Sequence, residues 1–577
     1  MRDFPHSVPV LSCAEAKLFE KEFFARPGAA SEESAMDAAG TGVGDAVLRI
    51  FCGSDSCGSD FRGNADAKKS AETPISRLLV LAGKGHNGGD AVCAAERIFS
   101  QTACRVVFVF FAKDESALAP LTRKFLERFC AAVPAEKRTL LFLPANVPAG
   151  ALGEIPAELA AFAAAPRLVI LDGIFGHSFR PPFPPAIRAF AEKIFALRAA
   201  DSAVCSVDLP SGLCDAICGN APEISPENFA VCADFTFPTG ILKTPISAFP
   251  RLAGRVVPVN IGFAAEGVKS VSVRAAAVCD EAFFLRKIFA PRPVVCDKRN
   301  FGHVLIVGGS RAMPGALMLN ALAALRAGAG LVSVICPQSV QPAFAARAPG
   351  AMWIPCAENS EGGLDCAAAF AQFEKMLPRV SAVLCGSGAG TSADTQALIQ
   401  KIAARTPAGT VLVLDADALR AGTLAALRER RAPAEKTILL PHTGEFARLG
   451  GNADFDANFG GGNASALREF CAQNAALVAL KGVCTRVAGP NAEFLTFAGT
   501  PALARGGSGD VLAGIVAALF ASPRNLSAPA EPNAETPPCA EERLAAAVIW
   551  HGNAARRLAA AQGERCADIS ALPSFLF

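Results

Sequence analysis

From Arg77 onward the chain alternates apolar runs of strand length with Ala-rich stretches of helical character, and it does so in two separate series. The first series passes through RLLVLAG, CRVVFVFFA, RLVILDGIFG, SAVCSVDLPSG, ADFTFP and GRVVPVNIG, and closes near Gly262. The second restarts at FGHVLIVGGS and continues through LVSVICP, AMWIPCA, SAVLCGSGAG, TVLVLDADAL, TILLPHTGE and ALVALKGV. It ends in a hairpin, TRVAGPNAEFLTF, and an apolar helix after GGSGD. Runs that are apolar throughout suit strands buried on both faces, and helical connections between them make neighbouring strands parallel. The expectation is an α/β chain with two doubly wound parallel-sheet domains. The first, residues 1–274, opens on a helical arm that includes AEAKLFEKEFF; the second covers 275–577, with the proline-bearing APRPVV in the connector and the boundary near Ala275.

Two large α/β units account for 577 residues. With 55 basic against 53 acidic residues the net charge is +2, which gives no reason to expect nucleic acid or an anionic membrane as partner and favours a small-molecule substrate. No stretch reaches the roughly 18 apolar residues of a membrane span: AMPGALMLNALAAL contains Asn320 and is cut by Arg326. The start, MRDFPHSVPVLSC, carries Asp3 and too short an apolar run for a secretion signal, so Cys13 is not read as a lipidation site and the chain is expected to be cytoplasmic. None of the 20 cysteines forms CxxC, and Cys104, Cys205, Cys336 and Cys385 sit in strand-like runs. Cys214 with Cys218, or Cys52 with Cys57, has the spacing of a metal or disulfide pair, but buried free thiols are the preferred reading. Two polar, proline-rich segments, 51–76 and 524–542, read as inserted mobile loops. A homo-oligomer is left open.

Within LLVLAGKGHNGGD the letters GKGHNG satisfy GxGxxG between a strand and a helix, the setting of a phosphate-cradling turn. Asp90 follows at once, where a pyrophosphate would compete for the same positive helix end, so a hydroxyl, a ribose or a cation suits the loop better than a redox dinucleotide. Asp172 in VILDGIFG and Asp208 in SVDLPSG also stand at strand ends, where open parallel sheets bind ligands. Each alone could be a helix N-cap. Together with Asn87 and Ser211 they point to one site.

HNGGD, LDGIFG and VDLPSG resemble the three hallmark loops of the NAD(P)H-hydrate epimerase domain, usually written NNGGD, VDAxFG and DxPSG, and the likeness extends from AMDAAG through FPTGILK to NIG. It implies a Rossmann-like domain that binds hydrated NADH or NADPH. The hydrate would meet His86, Asn87, Gly88, Gly89 and Asp90, the run Gly176, His177, Ser178, Phe179, Arg180, Pro181 and Pro182, and Asp208. A potassium ion would be held by Asn87, Asp172 and Ser211, whose amide, carboxylate and hydroxyl supply oxygens, with Asp172 as the acid/base. His86, Gly173 and His177 depart from the family's commoner Asn, Ala and Thr.

In the second series GGSGD, from Gly506 to Asp510, places glycine backbone N–H groups at a helix start with an acid close by, a setting for phosphoryl transfer. A tight turn with an N-capping Asp is the plainer alternative. With GGSRAMPGA, GSGAG, DADAL, PHTGE and LKGVCT, the segment resembles the ribokinase-like ADP/ATP-dependent NAD(P)H-hydrate dehydratases. The fused pair is similar to the bifunctional NAD(P)H-hydrate repair enzymes. The resemblance implies that Ala316, Gly390 and His442 line the site of the hydrate, and that Lys481, Gly482, Val483, Cys484, Thr485 and Gly509 hold ADP with a magnesium ion. Asp510 would stand at the reacting hydroxyl, and His551 would be structural. ADP is favoured over ATP by the likeness to bacterial-type fusions. Asp297, Arg299 and the Thr of PHT depart from the family pattern. Two other readings compete: a small-molecule kinase of the ribokinase superfamily, and a first domain that is a non-catalytic dinucleotide-binding module.

Overall fold

The computed structural model describes residues 6–53, 75–144, 154–217, 228–263, 268–289, 292–452, 465–522 and 538–577. Most of the two expected inserted segments, together with Cys57 and Cys218, lies outside the described residues. The chain forms two compact units, Met1–Cys279 and Asp280–Phe577.

The first unit is built on a seven-stranded sheet. In chain order its strands are β2 (Arg77–Ala82), β3 (Arg105–Phe110), β4 (Arg138–Phe142), β5 (Leu168–Gly173), β6 (Ala203–Val207), β7 (Phe235–Phe237) and β9 (Arg255–Val256). They lie in the order β4-β3-β2-β5-β6-β7-β9, all parallel. Alternate residues of each strand serve opposite faces: Leu78 and Val80 pack with the helices Glu32–Cys52 and His86–Thr102, Leu79 and Leu81 with Ala157–Ala163 and Pro185–Leu197. The helix Glu32–Cys52 packs so closely on its neighbour that a Cβ on Gly40 would stand 2.1 Å from the Cβ of Cys93.

The amino-terminal arm is not wholly helical as expected. It begins with β1 (Ser7–Leu11), which pairs in parallel with β8 (Leu242–Lys243) and antiparallel with β10 (Ala276–Val278). Pro9 masks this strand in the sequence, since proline is confined to edges and strand starts. Helix Cys13–Phe24 follows, closed by a capping box between Ser12 and Glu15. The pairing Ser7↔Val278 draws residues 276–278 into the first unit, so the division falls a few residues after Ala275. β4 was also missed: all five of its residues are half-buried at the sheet's edge.

The second unit contains β11 (His303–Val307), β12 (Leu331–Pro337), β13 (Met352–Cys356), β14 (Ala382–Cys385), β15 (Val411–Leu414), β16 (Thr437–Leu439) and β17 (Leu477–Leu480). Their order is β13-β12-β11-β14-β15-β16-β17, all parallel. The expected hairpin, β18 (Thr485–Ala488) and β19 (Glu493–Thr496), continues it antiparallel. One face is covered by helices Cys366–Met376, Ala393–Arg405 and Ala421–Arg430. The other carries Gly315–Arg326, Ser508–Ala521 and Ala540–Gln562. Helix Glu281–Ile288 belongs to this unit because Arg556 Nη1 donates to Glu281 Oε2 at 2.8 Å and Phe289 meets the Trp550 ring at 4.5 Å.

Every residue from Val511 to Ala521 is buried, as expected of a helix apolar on all sides. A Cβ on Gly514 would lie 2.4 Å from the carbonyl oxygen of Asn320 and 2.7 Å from the Cβ of Ala323. Gly514→Ala must force these helices apart, and the expected cost is about 1–3 kcal/mol, read as a lower denaturation midpoint of the second unit.

Candidate active sites

In the first unit the winding reverses between β2 and β5, with β3 and β4 on one side and β6, β7 and β9 on the other. Such a switch point opens a crevice beyond the carboxyl ends of the two strands. The loops there are GKGHNGGD and DGIFG, joined by the Gly83 N–H donating to the Gly173 carbonyl at 3.0 Å. A Cβ on Gly173 would stand 2.5 Å from the Ala91 Cβ and 3.0 Å from the Asn87 carbonyl oxygen, so the glycine is what lets the loops close on each other.

Asp172, at the end of β5, is fully buried. Its carboxylate accepts from the Ser206 hydroxyl at 2.7 Å, the Ser211 N–H at 2.9 Å and the Ser211 hydroxyl at 2.5 Å. Burial pushes its carboxyl up, and these hydrogen bonds only partly oppose the rise. Asp208 sits in left-handed backbone at φ 68°, also buried, and accepts from Thr239 Oγ1 at 3.2 Å and from Lys243 Nζ. His177 Nδ1 lies 3.5 Å from its other oxygen. Burial alone would raise the Asp208 carboxyl, but Lys243 and His177 outweigh it and hold it well below the usual carboxylate range. Neither aspartate is the helix N-cap considered as the alternative.

Helix His86–Thr102 starts after Gly85, so Asp90 lies one turn in from the helix start. Burial and the charge of Asp208 push its carboxyl well up, against the pull of Lys243. Asn87 is buried, with neither polar atom of its amide hydrogen-bonded. Gly88 and Gly89 are buried beside it: a Cβ on the first would strike the Gly83 carbonyl oxygen at 2.0 Å, one on the second the Met36 sulfur at 2.5 Å. Gly176 faces Asn87, and Gly176, His177 and Phe179 are half-buried along the loop after β5. His86, Ser178, Arg180, Pro181 and Pro182 are exposed, outside the buried cluster. Lys243 was missed as a site residue. Its signal was a lysine closing the otherwise uncharged run FPTGILK, and it is 1% exposed.

The second unit has its switch point between β11 and β14. GGSRAMPGA follows one strand and GSGAG the other, and they meet where the Gly309 N–H donates to the Ser387 carbonyl at 2.9 Å. Gly388 packs on Ala316, and the Gly390 N–H donates to Asp417 Oδ2 at 2.9 Å. At the end of β15, buried Asp415 accepts from Lys481 Nζ at 2.8 Å. Glu445 stands 3.9 Å from the same ammonium. A Cβ on Gly509 would lie 3.3 Å from Lys481 Nζ and 3.8 Å from Asp415 Oδ2, which brings the glycine turn against this pair.

Gly507, at φ 96°, is the N-cap of helix Ser508–Ala521, so Asp510 is not its cap. Burial, then the charge of Asp415, raises its carboxyl to about 6, opposed by the Ser387 hydroxyl and Lys481. From behind, Asn320 Nδ2 donates to the Asp510 carbonyl at 2.7 Å. His551 is buried, and burial pushes its imidazole down to about 4 while a hydrogen bond to the Ser508 backbone pulls the other way. It supports the turn from below. His442 is exposed and caps helix Thr443–Arg448 through its Nδ1, which accepts from the Gly444 N–H at 3.0 Å. Gly482 and Val483 are exposed, Cys484 half-buried and Thr485 buried. Asp415, Glu445 and Asn320 were missed as individual residues, although DADAL and PHTGE carried the first two.

A family model described as NAD(P)H-hydrate dehydratase matches residues 304–572, and one described as YjeF-related protein N-terminus matches 32–245. The bifunctional NAD(P)H-hydrate repair enzyme Nnr of Gloeobacter violaceus is 34% identical over 493 residues, 84% of this chain and 84% of that protein. The enzyme of the same name from Hyperthermus butylicus is 32% identical over 466 residues, covering 79% and 78% of the two chains. The ADP-dependent (S)-NAD(P)H-hydrate dehydratase of Xanthomonas campestris pv. campestris is 36% identical over 227 residues, 39% of this chain and 74% of that one. With both halves matched in order and both switch-point crevices in place, the chain belongs to the family of bifunctional NAD(P)H-hydrate repair enzymes.

Proposed function

We propose that the chain repairs hydrated NADH and NADPH: the first unit interconverts the R and S hydrates, and the second dehydrates the S form at the expense of ADP, giving AMP and phosphate. The observation that carries the second half is the Asp510 carboxyl, raised to about 6 beside the Lys481–Asp415 pair at a glycine-rich helix start. A base poised near neutrality takes the proton of the substrate hydroxyl as that oxygen attacks the terminal phosphorus of ADP. Phosphate then leaves with its bonding pair while the neighbouring carbon gives up a proton, and the ring double bond returns. The backbone N–H groups of the turn and the Lys481 ammonium face the charge on the transferring group. Magnesium would arrive on the diphosphate, as it does in most nucleotide sites.

In the first unit, opening the carbon–nitrogen bond of the hydrate turns the hydroxyl-bearing carbon into an aldehyde. The hydroxyl proton leaves and the ring nitrogen takes one up; closure on the other face reverses both transfers. Asp172, its carboxyl raised by burial, is suited to carry that proton, and Asp208, held ionised by Lys243, to bind the polar face of the ring. The donor set Asn87, Asp172 and Ser211 fits a potassium ion, because the buried Asn87 amide has both atoms unpartnered and Gly176 leaves room against it. When bound, such an ion would offset the charge of Asp172 and fix the two loops. Cytoplasm, where NADH and NADPH turn over, is the setting this reading assigns.

The purified protein, given mixed R and S hydrates of NADPH with ADP, ATP or neither, is expected to return the whole NADPH absorbance band with ADP. Recovery that stalls at the S fraction, after correction for spontaneous epimerisation, would remove the first activity; none with either nucleotide would favour the kinase alternative. Asp510→Asn is expected to lower dehydration by at least about a hundredfold while sparing epimerisation, and Asp172→Asn to do the reverse. Asp510→Asn also has a stability signature. The folded carboxyl titrates near 6, above its unfolded value, so ionisation costs the fold stability as pH rises from about 4 to about 6. The variant is expected to melt higher than the wild type above pH 6, with the difference vanishing below about pH 4.

A further inference from the structure

The ring of His177 lies between two carboxylates from different parts of the first unit. Its Nδ1 is 3.5 Å from Asp208 Oδ2, and its Nε2 is 3.4 Å from Oε2 of Glu20, on helix Cys13–Phe24. A neutral imidazole has one N–H, so it would donate to one carboxylate and turn a lone pair on the other; the imidazolium donates to both. Three further groups face this cluster. Lys243 pairs with the second oxygen of Asp208. Asp90 interacts with Asp208, Lys243 and Glu20. The Cys13 thiol is pushed well up by burial and by Asp215 and is not a charge. Glu20 and Asp208 thus flank the ring of His177, one toward each nitrogen, with Lys243 on the far oxygen of Asp208.

Elsewhere the loop that carries His177 is anchored by the Phe175 N–H, which donates to Ser211 Oγ at 2.9 Å, and by aromatic packing. Phe183 meets Phe175 at 5.2 Å, Phe179 at 5.7 Å and Phe229 at 4.8 Å between ring centroids. On the polar side His177 holds it to Asp208 and to the amino-terminal helix. We propose that His177 and Glu20 are positioning residues for the epimerase reaction: the imidazole ring bridges Glu20 to Asp208 and so sets the loop after β5 against the hydrated nicotinamide ring. This rests on the reading of the first unit as an epimerase, and it gives the amino-terminal helix a part in that site.

The test is the steady-state epimerisation of R hydrate, coupled to dehydration by excess wild-type-like second-site activity, for the full-length wild type, His177→Gln, Glu20→Gln and the double variant. Each single variant is expected to raise KM for the hydrate roughly fivefold with a smaller change in kcat. The double variant should be no worse than either single one. Glu20 is partly exposed on a surface helix, so Glu20→Gln keeps the comparison available should His177→Gln unfold. Unchanged KM in Glu20→Gln, or additive effects in the double variant, would overturn the bridge while leaving the epimerase reading intact. A wild type that does not epimerise at all would overturn both.

Discussion

A carboxylate taken out of water needs a cation or several hydrogen-bond donors, and each unit meets that need with a lysine brought in from a strand that is not the aspartate's neighbour in the sheet. Lys243 pairs with Asp208 in the first unit, and Lys481 with Asp415 in the second. Removing either lysine would strand a buried charge, a loss worth several kcal/mol. With one aspartate paired in this way, nearby acids have raised carboxyls: Asp90 and Asp510 through burial and like charge, Asp172 through burial.

These arrangements depend on how closely the backbone can approach itself at the two switch points. Gly173 lets the loop after β5 touch the start of helix His86–Thr102, and Gly386, at φ 118°, lies 2.1 Å, measured from where a Cβ would be, from the Asp415 carbonyl oxygen. Gly507 takes the left-handed cap position that frees Asp510 from capping. The glycines of the motifs therefore serve close packing of strand ends and helix starts as much as contact with phosphate. In the second unit the helix that follows is buried on every side, so the glycine turn sits on a rigid base.

Among the described residues no helix is long and apolar enough to cross a membrane, although half the chain is hydrophobic. That apolar content lies in sheets covered on both faces, which consume more hydrophobic surface than one-sided sheets do.

Most of the strands were legible because apolar continuity is a local property, and the glycine-rich loops were legible because a turn of that kind tolerates few other residues. Asp172, Asp208 and Asp510 could be named for the same reason: each stands at a strand end or helix start inside a glycine motif. β1 and β4 escaped notice, one behind a proline and one as a half-buried edge, since their pairing comes from partners rather than from their own pattern. The residues that complete the sites were also hidden. Lys243 reaches Asp208 across 35 positions, Lys481 reaches Asp415 across 66, and Glu20 meets His177 from another element altogether. The sequence by itself determined where strands end and which loops bend back. Tertiary structure alone decided which charges share a buried space, because desolvation and Coulomb energy depend on distances that the order of residues does not contain.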